Sequence, residues 1–225
     1  MQGCKAYHEL DTLLTMHDLV HDLAASLLGN QMLDQSTQCN TRGSSCQYAL
    51  LVDCKKPLKQ CTTSPASLRA LRFLDCCGIE LRGAAFSPAK SLAVLDLRGC
   101  SKHKLPDSIG QLRQLRYLNA PRIRNRTLPE CITKLLNLTY LNLHGSSIVA
   151  LPNSIGELQS LAHLDLSDCK KLKQLPGTFR KLEKLTHLDL SRCLRISGVS
   201  ESLGSLSQLE HLNLKYCRNM EDLAG

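Results

Sequence analysis

The stretch Leu161-Ala-His-Leu-Asp-Leu-Ser-Asp-Cys169 carries a pattern, L-x-x-L-x-L-x-x-C, that recurs along this chain of 225 residues. Other full or looser copies of the pattern begin at Leu71, Leu92, Leu115, Leu138, Leu185 and Leu209. Successive copies start 21 to 24 residues apart. Self-similarity at a fixed period of this length is the signature of one structural unit stacked many times. The repeat therefore decides the fold.

The alternation of residue types inside each copy predicts a β-strand. In the quoted copy, Leu164 and Leu166 point to one side of the strand. His163, Asp165 and Ser167 point to the other side. One repeat cannot bury its own leucines, so neighbouring copies must stack and cover them. The sequence predicts an α/β leucine-rich repeat solenoid, with a parallel sheet on the concave face and short turns or 3₁₀ segments on the convex face.

The path between strands is marked by proline. Leu-Pro pairs follow four of the strands, ending at Pro106, Pro129, Pro152 and Pro176. Proline neither extends a helix nor donates to a sheet, so each pair marks the turn onto the outer side. The segment Arg195-Ile-Ser-Gly-Val199 lacks the pair. Its outer path is therefore expected to differ.

The chain divides into three predicted regions. Residues 1–30 contain a helical pattern that begins near Thr15, residues 31–45 form a polar linker, and residues 46–225 form the repeat domain. Within the last region, Tyr48-Ala-Leu-Leu-Val-Asp-Cys54 is predicted as a first, degenerate strand, with Val52 in line with Leu74. No polar capping segment follows the last copy, so the final face of the stack is expected to be partly uncovered.

Composition excludes several protein classes. No apolar run reaches the length of a membrane span, and no hydrophobic signal region follows Met1, so a cytoplasmic or nuclear protein is expected. The chain has 12 cysteines but no C-x-x-C pair. Four of them keep the repeat spacing: Cys100, Cys169, Cys193 and Cys217. We predict that these are buried, reduced thiols that line the turn after each strand, and that no metal is bound.

One segment before the repeats resembles a known family. Met16-His-Asp-Leu-Val-His-Asp-Leu-Ala24 is similar to the M-H-D motif and following helix of plant nucleotide-binding leucine-rich repeat (NB-ARC) immune receptors. The repeats over 92–217, with their L-P-x-S-I-G-x-L outer paths and terminal Cys, look like the same family. The resemblance implies that residues 1–30 are the end of a winged-helix domain. It also implies that His17 approaches the phosphates of bound ADP and that Asp18 helps hold the closed form.

The chain departs from that family at the nucleotide site. It contains no G-x-x-x-x-G-K-[S/T] loop to hold phosphates. We therefore expect no cofactor, with ADP bound only in a full-length relative, where His17 and Asp18 would contribute one part of a larger site. The chain is expected to be a carboxy-proximal piece of such a receptor or a truncated relative.

The outward positions of the strands form three columns, the third of which is Arg98, Pro121, His144, Ser167, Ser191 and Lys215. The first is Phe73, Val94, Tyr117, Tyr140, His163, His187 and His211, and the second is Asp75, Asp96, Asn119, Asn142, Asp165, Asp189 and Asn213. Aromatic rings beside hydrogen-bonding groups suit a protein-binding surface. The predicted partner-binding residues are Arg116, Tyr117, Asn119, Tyr140, Asn142, His163, Asp165 and His187. Alternatively, the Asp and Asn residues form only a solvated ladder.

The other candidate sites are weaker. No nucleophile accompanies the histidines and acids of the sheet, so an enzyme is not expected. The formal charge is +8, and its tightest sequence cluster is Arg116, Arg122, Arg124 and Arg126. Such a cluster can attract an anionic partner, but charges on outer turns also serve solubility. We expect neither a nucleic acid nor a membrane as partner.

Together these features favour a recognition module of a plant intracellular immune receptor. Its inner face would bind a pathogen effector or a guarded host protein. Its first repeats would pack against the switch domain of a complete receptor and hold that domain in its inactive state. One alternative is the substrate-binding arm of an F-box ubiquitin ligase. Another is a signalling scaffold of the Ras-group type, although its repeats carry Asn where Cys100, Cys169, Cys193 and Cys217 stand here.

Overall fold

The computed structural model describes residues 48–52, 68–74, 81, 86–87, 89–100 and 104–218. The predictions for residues 1–45 lie outside this part of the chain: the helix and winged-helix remnant of 1–30, including His17 and Asp18, and the linker of 31–45. The repeat domain is described over most of its length.

Eight parallel strands form one sheet in the described residues. They are β1 (Tyr48–Val52), β2 (Ala70–Leu74), β3 (Val94–Asp96), β4 (Tyr117–Asn119), β5 (Tyr140–Asn142), β6 (His163–Asp165), β7 (His187–Asp189) and β8 (His211–Asn213). Each strand pairs with the next one along the chain, in the order β1 to β8. This confirms the predicted solenoid, because each repeat adds one strand to the edge left by the previous repeat.

The leucines of successive strands stand in register and form the core. Leu141 pairs with Leu118 on one side and with Leu164 on the other. Leu164 is 2% exposed and Leu166 is 0% exposed, so the predicted inward side is confirmed. One continuous apolar cluster runs from Leu68 to Leu206 under the sheet.

The repeat that contains β2 begins three residues earlier than predicted. Leu71 pairs with Leu95 and is therefore the second apolar position of its repeat, with Leu68 as the first. Phe73 was predicted to face outward, but it is 1% exposed and belongs to the core. A phenylalanine stands here at the third apolar position, where most other repeats have leucine and one has Ala120, and this difference hid the register. Asp75, assigned to the second column, lies outside the described residues.

Short helices form the outer side. The described part contains four 3₁₀-helices, at Asp107–Gln111, Glu130–Lys134, Ile155–Glu157 and Gly177–Lys181. The carbonyl of the preceding proline begins each one: the Ile109 N–H donates to Pro106 O at 3.0 Å, for example. The repeat without Leu-Pro instead forms a short α-helix, α1 (Ser200–Leu203), which confirms its different path.

The two ends of the stack also agree with the prediction. Val52 of β1 pairs with Leu74 of β2, so the degenerate first strand is confirmed. Leu212 of β8 is 43% exposed, whereas the equivalent Leu188 of β7 is 2% exposed, so the last described face is partly uncovered. In the described residues no helix is long and apolar enough to cross a bilayer.

Candidate functional site

A column of stacked rings runs across the inner face, which we define as the sheet surface opposite the leucine core. The ring centroids of Tyr117 and Tyr140 lie 4.4 Å apart, and the rings are nearly parallel. Tyr140 and His163 follow at 6.1 Å. His163 and His187 lie 4.2 Å apart, as do His187 and His211. The ring column therefore continues over five strands, because in-register parallel strands place equivalent side chains one strand spacing apart.

Seven of the eight predicted partner-binding residues lie on the neighbouring strands β4 to β7, and Arg116 directly precedes β4, but the eight are not equally accessible. Tyr140, His163 and His187 are half-buried and so remain partly accessible to solvent. Tyr117, predicted as an aromatic anchor, is 7% exposed, and Asn119, predicted as an acceptor, is 2% exposed, so both are buried in this structure. Tyr117 instead supports Tyr140 from the side, because its ring is covered by that stack.

The remaining predicted residues flank the ring column. Arg116 is exposed and directly precedes β4, at the amino-terminal end of the sheet. Asn142 and Asp165 lie at the carboxyl ends of β5 and β6 and are half-buried. The structure thus brings a cation to one side of the rings and acceptor groups to the other.

The Asp and Asn column has a structural role at the end of each strand. In five repeats its Oδ1 atom accepts the backbone N–H two residues further on. The pairs are Asp96–Arg98 (3.1 Å), Asn142–His144 (2.7 Å), Asp165–Ser167 (2.8 Å), Asp189–Ser191 (2.7 Å) and Asn213–Lys215 (3.2 Å). Such Asx turns satisfy a backbone donor as the chain leaves the sheet. The alternative interpretation, in which the Asp and Asn residues form a ladder without a recognition role, therefore accounts for the contacts of their Oδ1 atoms.

Asn119 is the exception in this column. The residue two positions on is Pro121, which has no N–H to donate. Asn119 Oδ1 is accordingly the buried side-chain oxygen or nitrogen without a hydrogen-bond partner in the described residues. The proline at this position of the turn thus leaves the buried Asn119 oxygen without a hydrogen bond, which is unfavourable.

Beside the ring column, His144, Ser167 and Asp165 form a hydrogen-bonded group that resembles a catalytic triad in composition. The Ser167 hydroxyl donates to Asp165 Oδ1 and lies 2.8 Å from His144 Nδ1. An ionised carboxylate only accepts, so the single hydroxyl proton goes to Asp165 and the imidazole donates from Nδ1. In this arrangement His144 cannot take the Ser167 proton, which is the step that activates a serine nucleophile. The group orders the surface instead.

A neighbouring hydroxyl group also fixes the orientation of the His187 ring. Thr186 Oγ1 donates to the Ala162 carbonyl at 3.1 Å and lies 2.8 Å from His187 Nδ1. Because that hydroxyl proton is already used, His187 donates from Nδ1 and keeps Nε2 as an acceptor. The ring column thus offers an acceptor in a fixed orientation on β7.

Burial favours the uncharged forms of His163, His187 and Tyr140 in the ring column. Desolvation lowers the pKa of His163, and the neighbouring His187 and His211 lower it further. Desolvation also lowers the pKa of His187, with His211 adding to the effect. Burial raises the pKa of Tyr140 to about 12. Neutral imidazole and phenol groups at neutral pH suit a surface that is partly apolar and partly hydrogen-bonding.

The repeat-spaced cysteines link neighbouring repeats. Cys100, Cys169 and Cys193 are buried, as predicted, while Cys217 is half-buried on the last described repeat. The Cys169 thiol donates to Leu143 O at 3.3 Å, and the Cys193 thiol donates to Leu166 O at 3.1 Å. Burial raises the pKa of Cys193 to about 12. The thiols therefore act as protonated donors to the preceding strand.

The predicted arginine cluster is divided by the fold. Arg116 precedes β4, whereas Arg122 follows it in a left-handed turn with φ 59°. Only Arg124 and Arg126 line a recess, which they share with Lys171, Lys173 and Arg195 from later repeats. Repeat spacing in the sequence could have indicated the cations that line this recess, since Arg124 and Lys171 lie two repeats apart. Within the described ranges no group of three or more His, Cys, Asp or Glu residues is placed to hold a metal.

Comparison with known proteins gives the repeat class. Residues 130–224 match the family model described as a leucine-rich repeat region. This match supports a leucine-rich repeat protein that takes part in protein–protein recognition. A search of curated proteins found no match.

One solved structure similar to this chain is the crystal structure of a plant ice-binding protein. The two chains are 23% identical and superpose with a TM-score of 0.50 over 67% of this chain. The match spans 49% of that protein, about half of its length. At this level of identity the similarity shows the solenoid fold and nothing of the ligand.

Proposed function

We propose that this chain is the recognition module of a plant intracellular immune receptor, and that it binds a protein partner through its inner face. The observation that carries the proposal is the ring column, in which Tyr140, His163 and His187 stand on a rigid sheet with their neighbours already in place. Repeat proteins use such extended surfaces of their sheets for binding.

The ring column is organised before a partner arrives. Stacking at 4.4 Å holds the Tyr140 ring against Tyr117, and stacking at 4.2 Å holds His163 against His187. Side chains that are already ordered lose little conformational entropy on binding. Central aromatic residues also dominate the binding energy of many protein interfaces. Tyr140 is therefore the expected main contact.

The groups beside the rings supply specificity. Arg116 is an exposed cation at one end of the strands. His187 Nε2 and Asp165 Oδ2 present acceptors on the other side, whereas the single side-chain oxygen of Asn142 already accepts the His144 N–H in its Asx turn. A partner that places donors over this acceptor row and apolar atoms over the rings would match the surface, and a partner without those donors would leave buried acceptors unpaired.

The immune assignment is supported by the resemblance of Met16–Ala24 to the M-H-D segment of nucleotide-binding receptors. We propose that the chain acts in the cytoplasm or nucleus beside the switch domain of such a receptor. On this proposal His17 and Asp18 contribute to an ADP site only when that domain is present, and the chain itself has neither a cofactor nor catalytic activity. The bound partner would be a pathogen effector or a guarded host protein.

The binding part is tested by capture from healthy and pathogen-infected plant tissue. The wild-type chain is compared with an inner-face variant, Tyr140→Ala with His187→Ala, and with an outer-side control, Lys181→Ala with Lys184→Ala. We expect a protein that the wild type and the control retain and that the inner-face variant loses. Retention by all three chains would place the binding surface elsewhere.

The immune part needs a separate test in the source plant. Disruption of the gene should change resistance to a pathogen, and a wild-type copy should restore it. A copy with Tyr140→Ala and His187→Ala should fail to restore it at equal protein abundance. If resistance is the same with and without the gene across a panel of pathogens, the immune assignment is wrong even where the protein partner is real.

A further inference from the structure

An open recess of about 620 Å³ lies where the chain leaves the sheet for the outer side. It is lined by five cations and two short neutral side chains: Arg124, Arg126, Lys171, Lys173, Arg195, Ser147 and Val149. No acidic residue is in the lining. The recess is separate from the ring column, which is formed by strand residues.

The recess exists because one repeat has short side chains where its neighbours have long ones. Ser147 occupies the position that Arg124 has one repeat earlier and Lys171 one repeat later. Val149 stands in the same way between Arg126 and Lys173. The two neutral residues, which we call the floor, lie between the cationic positions of the neighbouring repeats. The two cationic rows are about two strand spacings, or roughly 10 Å, apart.

The backbone under the recess is fixed. The Val149 N–H donates to Arg126 O at 2.7 Å, and the Lys173 N–H donates to Val149 O at 3.1 Å. Between the two arginines, Asn125 Oδ1 accepts the Leu105 N–H at 2.8 Å. The floor and both sides are therefore held at constant spacing, so only the cationic side chains need to adjust to a ligand.

The five cations have no anionic partner among the residues that the structure describes. The ion pairs found there join Arg72 and Arg98 to Asp96, and Lys170 to Asp168. All five recess cations are exposed. Holding like charges around one recess is unfavourable unless an anion offsets their repulsion. Solubility alone does not account for their convergence on one concave site.

We propose that this recess binds a small soluble ligand that carries two or more phosphate groups. Three of the five cations are arginines, whose planar guanidinium groups donate two parallel hydrogen bonds to a phosphate. The volume is in the range of small-molecule sites rather than of the long grooves that hold polymers. Cations on both sides of a neutral floor match an anion whose charges lie at its two ends. This site is independent of the inner face and of the immune assignment.

The test is calorimetry on the full chain at physiological ionic strength, with inorganic tripolyphosphate as the probe. We expect saturable binding at one site. Arg126→Gln with Lys173→Gln should weaken binding at least about tenfold. The matched control, Lys181→Gln with Lys184→Gln, removes the same charge from exposed outer-side positions and should change affinity by less than about twofold, because distant charges are screened.

A third variant separates shape from charge. Val149→Trp keeps all five cations but fills the floor, so it should abolish saturable binding. Should that variant unfold in a thermal denaturation control, the glutamine pair decides alone. Equal losses in the glutamine pair and its control would overturn the proposal, as would the absence of binding.

Other occupants are distinguished by competing probes. Oligoglutamate, a short single-stranded RNA and vesicles that contain a phosphorylated inositol lipid are titrated under the same conditions. Tighter binding of any of them than of tripolyphosphate, with loss in the glutamine pair, would assign the recess to that class and overturn the small-ligand proposal.

Discussion

Neighbouring repeats of this solenoid contact each other in different ways on the inner face and on the outer side. On the inner face, neighbouring repeats touch through side chains, as where the His163 and His187 rings stack at 4.2 Å. On the outer side they approach through the backbone. A Cβ atom built on Gly156 would lie 2.2 Å from Thr178 O, and one on Gly110 would lie 2.6 Å from Cys131 O.

This difference shows why recognition is expected on the inner face. A side chain that contacts only another side chain can be exchanged while the strand pairing beneath it stays unchanged. A residue that faces a neighbouring backbone at such short distances cannot be enlarged without moving a whole repeat. The inner face is therefore free to vary for binding, and the outer side is constrained by packing. Mutations on the two surfaces can test this division.

The largest effect is expected in the core that both surfaces share. Leu164→Ala removes a buried side chain from the leucine stack and should lower the free energy of unfolding by about 2–5 kcal/mol. The adjacent inner-face change His163→Ala should cost less than about 1 kcal/mol. Denaturant unfolding of both variants measures the ranking. A larger loss for His163→Ala would mean that the rings, rather than the leucines, hold the stack together.

The outer side should tolerate an added methyl group at one glycine and not at another. Gly156→Ala places a Cβ against Thr178 O and should destabilise the protein by about 1–3 kcal/mol through overpacking. Gly177 has nothing within 4 Å of a built Cβ, so Gly177→Ala is the matched control and should be near neutral. Equal melting temperatures for the two variants would show that the outer helices can shift apart, and that packing does not constrain the outer side.

Period and alternation alone were enough to predict most of the fold. The inward side of Leu164, the ring column and the outer 3₁₀ turns are all consequences of one repeat copied in register. The prediction was wrong for the repeat that contains β2. Phe73 stands at a position where most repeats have leucine, and the start of that repeat was therefore misplaced by three residues. The burial of Tyr117 depends on how its ring lies against Tyr140, and the alternation pattern contains no such information.

The recess also escaped prediction, for a different physical reason. Proximity in sequence groups Arg124 and Arg126 with Arg116 and Arg122. Their actual neighbours, Lys171 and Lys173, are two repeats away, on outer turns where solubility is a sufficient explanation of a charge. Only stacking at a constant strand spacing brings the two sets to either side of the same floor.

Two asparagines at equivalent positions sharpen the comparison within the inner face. Asn142 Oδ1 accepts the His144 N–H at 2.7 Å, whereas Asn119 Oδ1 has no partner. Leucine is nearly isosteric with asparagine, so Asn142→Leu loses that bond and should cost about 1 kcal/mol or more. Asn119→Leu removes an unsatisfied buried oxygen and should be neutral or stabilising. Urea unfolding of both variants gives the difference, and a larger loss for Asn119→Leu would mean that its oxygen is satisfied in solution.

The smallest effect is a dependence of stability on pH that arises in the ring column. The pKa values of His163 and His187 are lowered by desolvation and by neighbouring imidazoles. The unfolded chain therefore binds protons first as pH falls below the ordinary histidine value near 6.5, and stability that is complete above that pH is lost below it. Solvent reaches both rings and screens their repulsion, so we expect a loss of less than about 1 kcal/mol between pH 7.5 and 5.5.

A difference measurement isolates this contribution of the histidines. Burial raises the pKa of Asp165, which acts in the opposite sense, since stability from that group is present at low pH and lost as pH rises. Glu210 also faces the histidines and favours their charged form. Urea unfolding of the wild type and of His163→Gln with His187→Gln over the same pH range cancels the contributions of both acids. The wild type should lose more stability on acidification than the variant, and parallel curves would show that the stacked imidazoles titrate as they do in the unfolded chain.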